Sequence, residues 1–178
     1  MQLIILLLSI VVVILFLKLY IMLGVKKIQK RFRTNRWDGL QSLIDKYRVT
    51  CALFTRGPFN KGTRALYNSL CFLWASIALV EEDENEFLRQ LNMIKKEEEY
   101  ELKSFVLALY YSSKHQKEQA MECYQKFLKC KPQSQDVKLI MESMFEKDGG
   151  VQRQSYVDVL HNFKNPAIIK LFKANDMI

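Results

Sequence analysis

Four cysteines (Cys51, Cys71, Cys123 and Cys130) and two histidines (His115 and His161) are the side chains in this chain most suited to binding a metal or acting as nucleophile and base. Cys123 and Cys130 stand seven apart and share one face of a helix. With His115 they present three ligands of the kind zinc takes, but no fourth follows at a usual spacing and no CxxC pair occurs. The thiols are therefore expected to be buried and, in a cytoplasmic domain, reduced, with no metal and no other cofactor. His115 falls in a turn and His161 late in an amphipathic helix, neither with a nucleophile and an acid at a recognisable spacing. There is no glycine-rich phosphate loop and no HExxH. The acidic clusters at 81–86 and 97–101 suit solvated helix starts better than paired catalytic carboxylates. Catalysis is not expected.

The other chemistry is cationic. Eleven Lys and Arg lie between Lys26 and Arg64, against Asp38 and Asp45 alone, while the chain beyond Arg64 carries 15 basic and 17 acidic residues. A nucleic-acid surface would spread basic residues over the folded body, so no nucleic-acid partner is expected. Lys26, Lys27, Lys30, Arg31, Arg33 and Arg36 instead form a candidate membrane surface, each drawn to anionic lipid headgroups by about 1 kcal/mol.

What positions those cations is the apolar run just before them. At about 1.5 Å per residue, residues 3–25 reach roughly 35 Å as a helix, enough for a hydrocarbon core of about 30 Å. The single charge, Lys18, costs at most about 3.5 kcal/mol at mid-membrane, against 18 Leu, Ile, Val and Phe at about 0.3 kcal/mol or more each. Insertion wins, and Lys18 lies near enough to one end to snorkel. A cleaved signal peptide would need a basic start, a shorter apolar stretch and a small-residue cleavage site. The basic residues after the run orient it by the positive-inside rule. The expectation is a single-pass membrane protein with its N-terminus outside and its C-terminal domain cytoplasmic.

The remainder reads as all-α. Three prolines and six glycines leave few breaks. Helices are expected over 36–53, 63–80, 84–95, 98–113, 116–131, 134–147, 152–163 and 166–174, with a loop at 56–62. Asn165 followed by Pro166 is an N-cap with proline at the first helical position. The resulting organisation is residues 1–25 as transmembrane anchor, 26–62 as a basic juxtamembrane helical segment and linker, and 63–178 as a helical domain with a C-terminal capping helix.

A shift of 33 residues lays Leu91 on Tyr124 and Val157, Ile94 on Phe127 and Leu160, and Trp74 on Leu107 and Ile140. Ala75 falls on Ala108 and Met141. A period in the low thirties with two helices per unit is typical of stacked hairpin arrays. In the central unit, 100–132, Leu107, Ala108, Tyr111, Ala120, Tyr124 and Pro132 stand at the intervals of the tetratricopeptide repeat, which this unit resembles. The flanking units depart from the pattern, with Ala78 and Phe87 before it and Met141, Met144 and Arg153 after it, so the array is TPR-like.

The resemblance implies antiparallel helix hairpins whose first helices line a partner-binding groove, here Phe72, Ser76, Leu79, Leu102, Phe105, Leu109 and Ser112. That surface is apolar and almost uncharged, suited to an apolar peptide or amphipathic helix. The same residues also suit a core covered by the chain's own 166–174 helix. The function implied is a membrane-anchored protein–protein interaction adaptor or scaffold. The alternative is a structural subunit of a larger membrane complex, held by its transmembrane helix.

Overall fold

The computed structural model describes residues 2–34, 36, 39–53, 60–95, 101–130, 132–145 and 159–178. Among them are eight helices and no strand: α1 (Gln2–Arg33), α2 (Leu40–Leu53), α3 (Asn60–Val80), α4 (Glu84–Asn92), α5 (Glu101–Ser113), α6 (Lys117–Lys129), α7 (Gln135–Phe145) and α8 (Pro166–Ala174). The protein is all-α, as its composition predicts. It divides into two compact units, Met1–Trp74 and Ala75–Ile178, with the division inside α3.

In the first unit α1 does not stop where the apolar run ends. It continues through the basic residues to Arg33, because nothing between Val25 and Arg33 breaks a helix and Lys, Arg, Gln and Ile all tolerate one. Thr34 closes it, its hydroxyl donating to the carbonyls of Lys30 and Arg31, both at 3.1 Å. Gly39 then takes φ +65°, a left-handed conformation that a side chain would oppose, and α2 follows. Ile21, Val25, Ile28 and Phe32 are buried on one stripe of α1; Leu40, Ile44, Tyr47 and Cys51 repeat the same 4-3-4 spacing on α2. The two stripes pack on each other.

The expected loop at 56–62 is corrected at its end. Asn60, Lys61 and Gly62 already belong to α3, so residues 60–62 add a first turn to that helix, while 54–59 lie outside the described residues. The α3 residues of this unit contribute Tyr67, Leu70, Cys71, Phe72 and Leu73 to its core. Arg48 lies 4.8 Å over the Trp74 ring and bonds Asp45 at 2.6 Å.

The second unit starts with the last turns of α3. Asp83 caps α4, accepting from the Glu86 amide at 2.9 Å, with Glu84 and Glu86 in the first turn where the macrodipole favours them. Helices α5 and α6 pack on each other, and their small residues Ala108 and Ala120 are both buried. They are antiparallel: the turn Lys114–Gln116 joins them, and past the far end of α6 the Gln133 amide donates to the Glu101 carboxylate at the start of α5, 2.7 Å away. Phe87, Leu91, Phe127, Val137, Ile140 and Met141 fill the space around this pair. Positions one 33-residue shift apart, such as Ile94, Phe127 and Leu160, are alike in being buried. That much follows from each helix being amphipathic and does not single out a tetratricopeptide arrangement. Most of the expected 152–163 helix lies outside the described residues, which record a helical turn at 159–160.

Candidate functional site

Of the groove residues expected from the sequence, those in the second unit do not form an open surface. Phe72 is buried in the first unit. In the second, Phe105 and Leu109 are wholly buried, Ser76 and Leu79 nearly so, and Leu102 and Ser112 half-buried. Helix α8 lies along α5 and covers this face. The Phe105 ring is 6.3 Å from Phe172 and 6.0 Å from Phe163, and the last two meet edge to face at 5.4 Å.

Polar side chains at both ends of α8 hold it in register. Asn165 caps the helix by accepting from the Ala167 amide at 2.9 Å, with Pro166 beginning it, while its side-chain amide donates to Ser76 Oγ at 3.2 Å. The Lys170 ammonium donates to the Leu79 carbonyl at 3.2 Å and to the Glu82 carboxylate at 3.1 Å, capping the C-terminus of α3, where positive charge is favoured. At the far end, Asn175 donates to the Leu109 carbonyl at 3.0 Å and to that of Leu171 at 2.8 Å. The face therefore takes an amphipathic helix, and the helix it takes here is the chain's own.

One charged cluster ties α4 to α5. Glu84 accepts from the Tyr110 hydroxyl at 2.9 Å and from the Lys114 ammonium. The Lys114 and Tyr110 hydrogen bonds hold the Glu84 carboxyl below its ordinary range. Burial, then the bond to Glu84, pushes the Tyr110 phenol up to about 12.

The thiols are distributed, not clustered for a metal. Cys51, Cys71 and Cys123 are buried and Cys130 half-buried, all reduced. Burial, with Cys71 nearby, pushes the Cys51 thiol up to about 11, so it is not a thiolate at neutral pH. Tyr67 is pushed up to about 12, by burial first and then by Cys71. His115, at φ +59°, sits exposed in the turn before α6, whereas Cys130 follows the other end of that helix. Among the described residues no three His, Cys, Asp or Glu side chains are grouped to hold a metal ion. Cys123 and Cys130 do share a cleft of ≈ 280 Å³ with Lys103, Ser104, Leu107, Lys126 and Lys129.

The basic segment keeps its charge outward. Lys26, Lys27, Lys30, Arg33 and Arg36 are exposed and Arg31 half-buried. Above it, Leu8, Val11, Val13, Leu15 and Phe16 are 52–67% exposed, although they point to different sides of α1. Among the described residues two helices are long and apolar enough to cross a membrane, within Leu8–Arg33 and Gly62–Val80. They differ in cover, since 17% of the apolar window is buried in the first and 72% in the second, which makes α3 a core helix.

A feature the sequence did not announce lies lower on α1. Lys18, Met22, Val25, Lys26 and Gln29 form one wall of a cleft of ≈ 440 Å³, with Gly62, Thr63 and Leu66 of α3 as the other. The 18, 22, 25, 29 spacing of a single helix face was the available signal, but nothing in the sequence said that α3 would flank it. No protein-family model, curated protein or solved structure matches this chain.

Proposed function

We propose that this protein is a single-pass membrane protein whose helical domain serves as a non-catalytic interaction adaptor, holding a protein partner at the membrane. The observation that carries this reading is the all-round exposure of apolar side chains from Leu8 to Phe16. Roughly 25 cal/mol per Å² of apolar surface opposes leaving such a cylinder in water, and lipid removes the cost without any partner for that stretch. The basic residues that follow orient it with the N-terminus outside and the helical domain in the cytoplasm. A TPR-like use of the α5 face accords with its capacity to seat an amphipathic helix, with α8 as the occupant a partner would replace.

One observation favours a second reading, that of a structural subunit in a larger membrane complex. The α5 face is already covered by α8, anchored by Asn165, Lys170 and Asn175, so the membrane helix would carry the partner contacts. Replacing residues 3–25 by an unrelated apolar helix of equal length, in cells carrying a photo-reactive residue at Leu102 or Ser112 on the half-buried rim, separates the two. An adaptor keeps both its membrane location and a discrete crosslinked partner after the swap. Loss of the partner with location retained establishes the subunit reading. Release of the unaltered chain from membranes by alkaline carbonate refutes both.

A further inference from the structure

We infer that the cleft between α1 and α3 in the first unit binds one acidic phospholipid, its headgroup held by Lys18 and Lys26 and its upper acyl carbons against Met22 and Leu66. This rests on the reading that residues 3–25 lie in the membrane. Lys18 and Lys26 are about 12 Å apart along the helix axis. On a helix every Cα–Cβ bond tilts toward the N-terminus, so the Lys26 stem leans toward the bilayer. Lys18, deeper in the apolar run, gains by extending its ammonium the other way, toward the headgroups. The two cations thereby bracket one depth, and between them the cleft is apolar.

That combination selects a lipid over a free anion. A soluble phosphate can use the two ammoniums with Gln29 and Thr63 but not the apolar part of the wall, whereas a phospholipid satisfies both features. Its sign is set by the surroundings: the chain from Lys26 to Arg64 carries eleven basic residues against two acidic ones, on the side of the bilayer where acidic lipids concentrate. Gly62 completes the site. It stands exposed on the α3 wall, and a Cβ built there meets nothing within 4 Å, so the wall is open where a lipid would lie.

The same opening provides a steric test, because a Cβ at Gly62 meets nothing within 4 Å, so Gly62→Phe adds its bulk from an open position on the cleft wall and improves helix propensity. The full-length chain is extracted in mild detergent, supplied with equimolar phosphatidylglycerol and phosphatidylcholine, and examined by native mass spectrometry. The wild type should retain one phosphatidylglycerol in preference to phosphatidylcholine. Retention should fall about fivefold for each of Lys18→Gln and Lys26→Gln and vanish in Gly62→Phe, whose thermal unfolding should match the wild type. Lys27→Gln with Lys30→Gln, basic positions outside the cleft, should leave retention unchanged. The inference is overturned if no lipid is retained, if Gly62→Phe retains it, or if the Lys27/Lys30 pair weakens it as much as the Lys18/Lys26 pair. Carbonate extraction of the same chains reads the anchor separately: a protein that resists extraction but shows no lipid preference refutes the cleft alone.

Discussion

Gly24 is where the packing of α1 on α2 is most exposed to a single change. A Cβ placed on it would lie 2.7 Å from Tyr47 Cε2 and closer still to Cζ and Cε1. Ordinary carbon contacts are about 3.5–4.0 Å, so the ring must retreat by at least about 1 Å. It has little room to do so, since Tyr47 is 8% exposed, its ring lies 5.4 Å from that of Tyr20, and Ile44 and Cys51 on the same stripe are fully buried. Overpacking of this kind costs about 1–3 kcal/mol. Gly24→Leu carries further atoms into the ring and belongs at the upper end, from which its better helix propensity recovers about 0.8 kcal/mol. The net loss is about 2 kcal/mol, or roughly a 30-fold rise in the open population of α2. Hydrogen exchange read by mass spectrometry on the detergent-solubilised chain measures this directly. Peptides covering Leu40–Leu53 should exchange roughly 30-fold faster, with α5 and α6 in the second unit unchanged. Adding Tyr47→Ala should restore much of the protection, a coupling that a double-mutant cycle isolates. Unchanged exchange in α2, or no rescue by Tyr47→Ala, would refute the claim that absence of a side chain at Gly24 lets the helices meet.

Three further outcomes test other parts of the structure. Phe172→Ala empties a wholly buried ring site between α8 and α5 and should destabilise the second unit by about 3–5 kcal/mol in denaturant unfolding; a loss under 1 kcal/mol would mean α8 contributes little to that core. Glu84 has its folded carboxyl pKa depressed by Lys114 and Tyr110, so its contribution is present above the ordinary carboxylate pKa and is lost as pH falls through the lowered one. Thermal unfolding of the second unit followed from pH 7 to 3 should fall in that acid range, and Glu84→Gln should remove part of the fall; identical profiles would contradict the assignment. Iodoacetamide at pH 8 should modify half-buried Cys130 first and reach Cys51, whose thiol is pushed up to about 11, only on unfolding. Equal labelling rates of the two in the folded chain would overturn that order.

Local chemistry was legible in the sequence because it acts over a few residues. The Asn165-Pro166 start of α8, the carboxylates opening α4, the apolar length of α1 and the helical character throughout each depend on side chains within one or two turns of one another. The end of the apolar run at Val25 is a change of hydropathy and not a helix stop: with no glycine or proline between Val25 and Arg33 the backbone continues as one helix. Zinc was set aside on ligand spacing, and the fold separates His115 and Cys130 to opposite ends of α6.

Tertiary structure decided what the amphipathic faces meet. An apolar stripe states that a helix must be covered but carries no record of by what, and Phe105 and Leu109 suit a partner's helix as well as α8; the long-range bonds of Asn165, Lys170 and Asn175 and the ring of Phe172 hold the latter in this chain. Gly24 against Tyr47, and Lys18 and Lys26 across from Gly62, likewise depend on residues some 20 to 45 positions apart whose approach is set by the packing of whole helices. The sequence by itself determined an all-helical chain with an apolar N-terminal helix and a basic collar, since composition and period are local quantities. Which face is closed, and where a cleft remains, followed from the mutual fit of helices, which no single helix encodes.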